Sequence, residues 1–419
     1  MRTTRLDSGL RVVTEAMPGL RSVAVGYWVG TGSRDEPDAL AGASHFLEHL
    51  LFKGTSRRSA AEIAESVESV GGDMNAFTGQ ELTAFYVRMP DQRLGLAVDI
   101  LSDIVWSPAL DPADVDSERQ VILEEIRMRD DTPDDLVHEL FASAVFPDHP
   151  IGREITGSPE TIEPMARDAI AEFHRTHYVP GNVVVAAAGN LDHDDVVALV
   201  EAGMGGAPGE RPVRPPRPPH VGEPGPQPVA VVEDDLEQVH LVLGMRALRR
   251  EDPDRYAFGV LNQVLGGGMS SRLFQEVREQ RGLAYSVYSY RSSYQETGAF
   301  GIYAGTAPEK VAELLDVLDA QLARIQDDGG VSDRELDAAK GHLTGSLALS
   351  LESSISRMHR IGQSELLLGE VPSLDELVAE CEAVTADDVA RVVDRVFRDN
   401  PRTLAAVGPV SEAALVRGV

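Results

Sequence analysis

Residues 170–189 read Ile170-Ala-Glu-Phe-His-Arg-Thr-His-Tyr-Val-Pro-Gly-Asn-Val-Val-Val-Ala-Ala-Ala-Gly189, and 219 positions later the chain reads Val389-Ala-Arg-Val-Val-Asp-Arg-Val-Phe-Arg-Asp-Asn-Pro-Arg-Thr-Leu-Ala-Ala-Val-Gly408. Ile170, Ala171, Phe173, Tyr178, Val185, Ala186 and Gly189 fall on Val389, Ala390, Val392, Phe397, Leu404, Ala405 and Gly408. Both stretches run from a helical pattern through a turn into an apolar strand that stops at glycine. The same offset lays Val12 and Val13 on Val231 and Val232, and a shift of one residue lays Val25-Gly26 on Leu243-Gly244. The match therefore spans both ends of each half, and the chain reads as a duplicated domain.

The halves are separated by a run rich in proline between Gly205 and Pro228 that can hold neither helix nor ladder. This predicts an N-terminal domain at 1–205, an extended linker at 206–228 and a homologous C-terminal domain at 229–419. Within the first half, Leu10–Glu15, Val23–Val29, Ala84–Met89 and Val183–Ala188 read as strands. Ala60–Val70, Leu94–Val105, Asp111–Arg129 and Thr161–Thr176 read as helices. Neighbouring strand pairs followed by several helices predict an α+β sandwich, an antiparallel-rich sheet with helices on one face.

With 38 basic and 68 acidic side chains, the formal charge is −30, which excludes bulk attraction to nucleic acid or to an anionic membrane as the main activity. The acidic excess reads first as a solubility property. A single cysteine, Cys381, offers neither an intrachain disulfide nor a thiolate metal site. No signal-like apolar stretch follows Met1 and no later run is long enough for a membrane span, so a cytoplasmic location is expected.

His45-Phe-Leu-Glu-His49 is where chemistry is expected. On a helix spanning Ala43–Leu51, the two imidazoles lie one turn apart on one face and can share a metal ion. Glu48 projects beside that ion, able to take a proton from a water whose pKa the metal lowers from about 15.7 toward about 7. This is the inverted zincin pattern. A catalytic zinc takes three protein ligands, so a carboxylate must come from elsewhere. The helix Asp111–Arg129 offers Glu118, Glu124 and Glu125. Glu118 and Glu125 share nearly one helical face, with Glu124 turned about 100° away. Glu125 is assigned as ligand, and Glu118 as the carboxylate behind it that orients a histidine or the base.

These residues make the chain recognisable. His45-Phe-Leu-Glu-His49 followed by Glu125 in Val121-Ile-Leu-Glu-Glu-Ile126 resembles the pitrilysin/insulinase zinc metallopeptidases, and the length and two-part plan resemble the mitochondrial processing peptidase branch and its bacterial relatives. Gly32-Ser-Arg-Asp-Glu36, Leu51-Phe-Lys-Gly54 and Gly71-Gly-Asp-Met-Asn-Ala-Phe-Thr78 are similar to the surroundings of that motif in the family. The resemblance implies two LuxS-like α+β domains and one Zn²⁺ per chain. It also implies an edge strand at Asn75, Ala76 and Phe77 to which a peptide substrate adds as a further strand. Arg278-Glu-Gln-Arg-Gly-Leu-Ala-Tyr285 resembles the Arg/Tyr pair of the family, which implies that Arg278 and Tyr285 contact substrate and stabilise the oxyanion. Because heterodimeric branches divide these two features between subunits and this chain has both, a self-sufficient chain is implied, and the two-chain clamshells of relatives of this length imply a homodimer.

The expected activity is zinc-dependent endopeptidase cleavage of extended peptides or unfolded segments in a closed chamber, with Glu48 as general base. The competing readings are a noncatalytic peptide-binding subunit of the same fold and a hydrolase of small metabolites. Gly266-Gly-Gly-Met-Ser-Ser-Arg-Leu-Phe274 resembles a glycine-rich loop of the family and lacks the pattern of a nucleotide loop. The second-half counterpart of the histidine motif, around Ala257–Leu261, carries no metal-binding pattern.

Overall fold

The structure, a computed structural model, describes residues 1–207, 217, 224–327 and 330–415. The first half gives β1 (Arg2–Arg5), β2 (Arg11–Ala16), β3 (Ser22–Val29), α1 (Ala43–Leu51), α2 (Ala60–Glu68), β4 (Asp73–Thr78), β5 (Thr83–Pro90), α3 (Leu94–Trp106), α4 (Pro112–Asp130), α5 (Pro133–Val145), α6 (Pro159–Ile162), α7 (Arg167–His177), β6 (Val183–Gly189) and α8 (His193–Gly203). The second half gives β7 (Val229–Glu233), β8 (Val239–Ala247), α9 (Arg255–Gly266), β9 (Ala284–Ser293), β10 (Gly298–Thr306), α10 (Val311–Asp327), α11 (Asp333–Ser350), α12 (Ser354–Leu367), α13 (Leu374–Ala383), α14 (Ala386–Phe397) and β11 (Arg402–Gly408). Among the described residues no helix is long and apolar enough to cross a membrane.

Two sheets result. One has the order β1-β2-β6-β3-β5-β4 and the other β7-β11-β8-β10-β9. In the first only β2 and β6 run parallel, and in the second only β7 and β11. Strand for strand, β2, β6, β3, β5 and β4 correspond to β7, β11, β8, β10 and β9, so the sequence repeat is a repeat of topology. Its end point is conserved in backbone geometry as well. Gly189 and Gly408 close β6 and β11 at φ +136° and +139°. A Cβ there would lie 2.3 Å from Ser22 O and 2.7 Å from Gln238 O respectively. Only glycine meets both the dihedral and the close approach.

The compact units are discontinuous in sequence. One comprises Met1–Arg127, Arg153–Arg217 and Leu349–Pro372, and the other Met128–Gly152, Pro218–Ala348 and Ser373–Val419. Each unit draws a helix from the other half of the sequence. α5, from the first half, packs Val137, Phe141 and Val145 on Val242, Ala405 and Val407 of the second sheet. α12, from the second half, packs Met358 and Ile361 on Ala24, Trp28 and Ala186 of the first.

The helices of the first unit accordingly lie mainly on one face, where α1, α3, α4 and α7 share a core with β3, β5 and β6, while α12 covers the other. The reason is written in β3 and β6, which are apolar at nearly every position and not at alternate ones. Strands of that kind need cover on both faces. Small residues let α12 approach closely: a Cβ on Gly362 would lie 2.3 Å from Trp28 Nε1.

The helix read at Thr161–Thr176 is two. Pro164 lacks the N–H that a continuous helix needs, and the chain turns through an extended Ala166 (ψ 144°) before α7 begins. Most of the linker, residues 208–216 and 218–223, lies outside the described residues.

Replacing Gly189 by alanine is expected to lower stability by at least about 2 kcal/mol in urea unfolding, since φ and contact both oppose it. Burial holds the His174 imidazole, whose Nε2 bonds Val105 O at 2.9 Å, down at about 4. A group lowered on folding contributes stability that is fully present above its unfolded value of about 6.5 and is lost as pH falls toward 4. His174→Gln should therefore flatten the acid limb of stability against pH over that window.

Candidate metal centre

α1 separates its two faces cleanly. Phe46, Leu47, Leu50 and Leu51 are buried in the core, which leaves His45, Glu48 and His49 on the opposite side. The helix starts at Gly42 with φ +95°, where a Cβ would meet Thr156 O at 2.7 Å. Its first N–H groups are held by the buried Glu36, whose carboxylate accepts from Gly42 N at 2.7 Å and Ser44 N at 2.6 Å. Burial pushes the Glu36 carboxyl up to about 8, so its hold on the helix start rests on these two hydrogen bonds.

α4 brings in the carboxylates. His45 Nε2 and His49 Nε2 lie 3.7 and 3.5 Å from the same oxygen of Glu125. Ligand atoms of all three lie within 4.8 Å of one another. In a tetrahedral site with bonds near 2.0–2.1 Å, ligand atoms are separated by about 3.3–3.4 Å, and both distances to Glu125 come within a few tenths of an ångström of that. Burial, with His49 beside it, holds His45 down at about 4, which keeps it in the neutral form that binds metal. Glu124 points elsewhere and pairs with Arg127 at 2.7 Å.

Glu118 is 4% exposed and sits behind the cluster. One oxygen lies 3.1 Å from His49 Nδ1 and the other 2.6 Å from Lys53 Nζ. A hydrogen bond from Nδ1–H leaves Nε2 as the free ligand nitrogen. Glu48 lies on the same face of α1, and Thr78 Oγ1 donates to its Oε2 at 2.6 Å. Burial raises the Glu48 carboxyl above its ordinary value, bringing it toward the range useful for proton transfer near neutral pH. The sequence reading missed Thr78 and Lys53 as participants. Both stand in stretches quoted for their resemblance, and nothing in the linear sequence pairs Thr78 with Glu48.

Among the described residues β4 is the edge of its sheet and pairs only with β5, which places Asn75, Ala76 and Phe77 on that edge. Ala76 N–H donates to Asn75 Oδ1 at 2.8 Å. Phe77 turns to the face that α12 covers, with its ring 5.7 Å from that of Trp28 and 5.9 Å from that of His359.

Comparison with known proteins bears directly on this arrangement. The pattern described as Insulinase (Peptidase family M16) matches residues 11–158, and that described as Peptidase M16 inactive domain matches residues 164–343. An uncharacterised zinc protease of Streptomyces coelicolor is 46% identical over 98% of this chain and 90% of its own length. The chain belongs to the insulinase family, peptidase family M16. An uncharacterised zinc protease of Bacillus subtilis is 40% identical over 96% of this chain and 97% of its own. Among solved structures, a protease from Helicobacter pylori matches with a TM-score of 0.90 at 25% identity, covering 97% of this chain and 99% of that one. A peptidase M16 inactive domain from Pseudomonas fluorescens shares the fold with a TM-score of 0.88 at 23% identity, covering 98% of each chain.

In the second unit, α9 follows β8 as α1 follows β3, and no histidine stands on it. Arg278 lies on a π-helical segment, Phe274–Gln280, with its guanidinium carbon 4.3 Å from the Tyr285 ring centre and 4.8 Å from that of Phe274. Tyr285 is 79% exposed. Gly266 of the glycine-rich loop sits against β9, where a Cβ would lie 2.3 Å from Ser289 N, which is a packing requirement.

Removing the Glu118 bond should loosen the metal without emptying the site. Glu118→Gln is expected to weaken zinc binding about 10- to 100-fold, measured by competition with a chromogenic chelator, and Glu125→Ala to weaken it further.

Proposed function

We propose that the protein is a zinc metalloendopeptidase that hydrolyses extended peptides or unfolded polypeptide segments. The observation that carries this reading is the convergence of His45, His49 and Glu125 on one point, with Glu48 held beside it by Thr78. Zinc bound by the three ligands supplies the Lewis acidity that makes water a nucleophile at neutral pH. Glu48 takes the proton of the attacking water on its carboxylate and returns it to the departing amine nitrogen. Thr78 holds the Glu48 carboxylate beside the cluster through its hydroxyl and a backbone hydrogen bond. Glu118 keeps His49 in the tautomer whose Nε2 faces the cluster.

The open edge of β4 offers backbone donors and acceptors to a substrate in extended form, with little regard for side chains. A substrate strand must compete for the Ala76 N–H that Asn75 now caps. Arg278 and Tyr285 are proposed as donors to the oxyanion, a role carried by the family resemblance, as are the closed chamber, one zinc per chain and the homodimer. Peptide is the proposed partner, and the charge of −30 argues against bulk attraction to nucleic acid or an anionic membrane.

The test is cleavage of a quenched fluorescent unstructured peptide by purified protein, with and without chelator, beside Glu48→Gln with its zinc quantified. The variant should keep its metal and lose about 10²- to 10⁴-fold in kcat. A wild type that binds zinc and cuts nothing in a diverse peptide library would replace this reading with a noncatalytic peptide-binding subunit.

A further inference from the structure

Arg217 is the sole described residue between Ala207 and Pro224, and it is anchored in the first unit. Its side chain is 7% exposed. Nε and Nη2 donate to Oδ1 and Oδ2 of Asp35, at 2.7 Å each. The same guanidinium reaches Glu81 twice, from Nη2 to the backbone carbonyl at 2.7 Å and from Nη1 to Oε1 at 3.2 Å. Arg34 donates to that Oε1 at 2.6 Å. Arg217 and Arg34 thus meet the buried carboxylates of Asp35 and Glu81, ion pairs that are costly to break from one side. A lysine in place of Arg217 would bring the charge without the fork that spans both acids.

Asp35 and Glu81 belong to two segments that frame the metal cluster. Asp35 Oδ2 accepts from Gly32 N at 3.0 Å, and the next residue, Glu36, caps the start of α1. Glu81 stands in the turn after β4. There Ser33 N and Arg34 N donate to Gly79 O at 3.1 Å and Gln80 O at 3.0 Å, and Thr78, which holds Glu48, immediately precedes the turn. The two segments touch: a Cβ on Gly32 would lie 2.2 Å from Gly79 O. The mechanism above uses neither acid, and the linker sequence reads only as an extended connection.

We propose that Arg217 is a positioning residue for the hydrolysis. By tying Asp35 to Glu81 it clamps the segment that starts α1 to the turn that ends β4, and so holds the Glu48 carboxylate in register with the metal ligands. This rests on the peptidase reading of the site, but the clamp itself can be observed without activity. Burial raises the Asp35 carboxyl above its ordinary range even with Arg217 beside it, so loss of the arginine leaves a charge that the site disfavours.

The experiment compares the full chain with Arg217→Met and with Arg217→Met/Asp35→Asn. It reads hydrogen exchange at residues 32–36 and 79–82, thermal midpoint, zinc content, and kcat and KM on the unstructured peptide. In Arg217→Met, exchange at the Ser33 and Arg34 amides should rise at least tenfold, and kcat should fall at least tenfold with zinc retained and KM within threefold. The double variant removes the unbalanced charge. It should recover the thermal midpoint, yet keep the fast exchange and the low kcat, because the bridge is still missing. Wild-type exchange in either variant overturns the clamp, whatever the fate of the peptidase reading. A double variant with wild-type kcat also overturns it, since Arg217 would then only neutralise Asp35.

Discussion

Helix α1 has to satisfy opposite demands on its two faces, and the first unit is arranged around that conflict. Phe46, Leu47, Leu50 and Leu51 must leave water, while His45, Glu48 and His49 must remain reachable on the other side. A helix of nine residues has little stability of its own. It is held by core packing, by the Glu36 carboxylate at its start and by the carboxylates of α4 across its polar face. Glu36 accepts two N–H groups at its start, and Glu118 and Glu125 approach the histidines of its polar face, so the helix is held at its end and along its side.

The duplication shows what that arrangement requires. The second unit keeps the strand order, the single parallel pair and the glycine that ends the corresponding strand, yet α9 has no imidazole to present. The strand order therefore forms without the histidine pair. The reciprocal exchange of α5 and α12 follows from the same sheets: strands apolar on both faces need a helix on the second face, and each unit takes it from the other half of the sequence.

Much of the site was legible because a helix converts spacing into direction. The intervals between His45, Glu48 and His49, and between Glu118 and Glu125, decide which side chains share a face before any tertiary contact is known. Strands β2, β3, β5 and β6 were legible as apolar runs within a residue or so of their ends. The break at Pro164 was also available, since a missing N–H is a local fact, but the periodicity around it read as one helix. Thr78, Lys53 and Arg217 carried no such signal. Each acts through a partner on a different element, and a hydroxyl, an ammonium or a guanidinium finds one by position in space.

By itself the sequence determined the repeat, the class of fold, and which of His45, Glu48, His49, Glu118 and Glu125 share a helix face. All of these rest on short-range periodicity or on a pattern of residue types. The tertiary structure alone decided which helix covers which sheet, which hydroxyl holds Glu48, and that an arginine from the linker bridges Asp35 and Glu81. The reason is physical. An apolar face specifies that it must be covered and a buried charge that it must be paired, and neither says by what; the choice is made when distant segments compete for the same space.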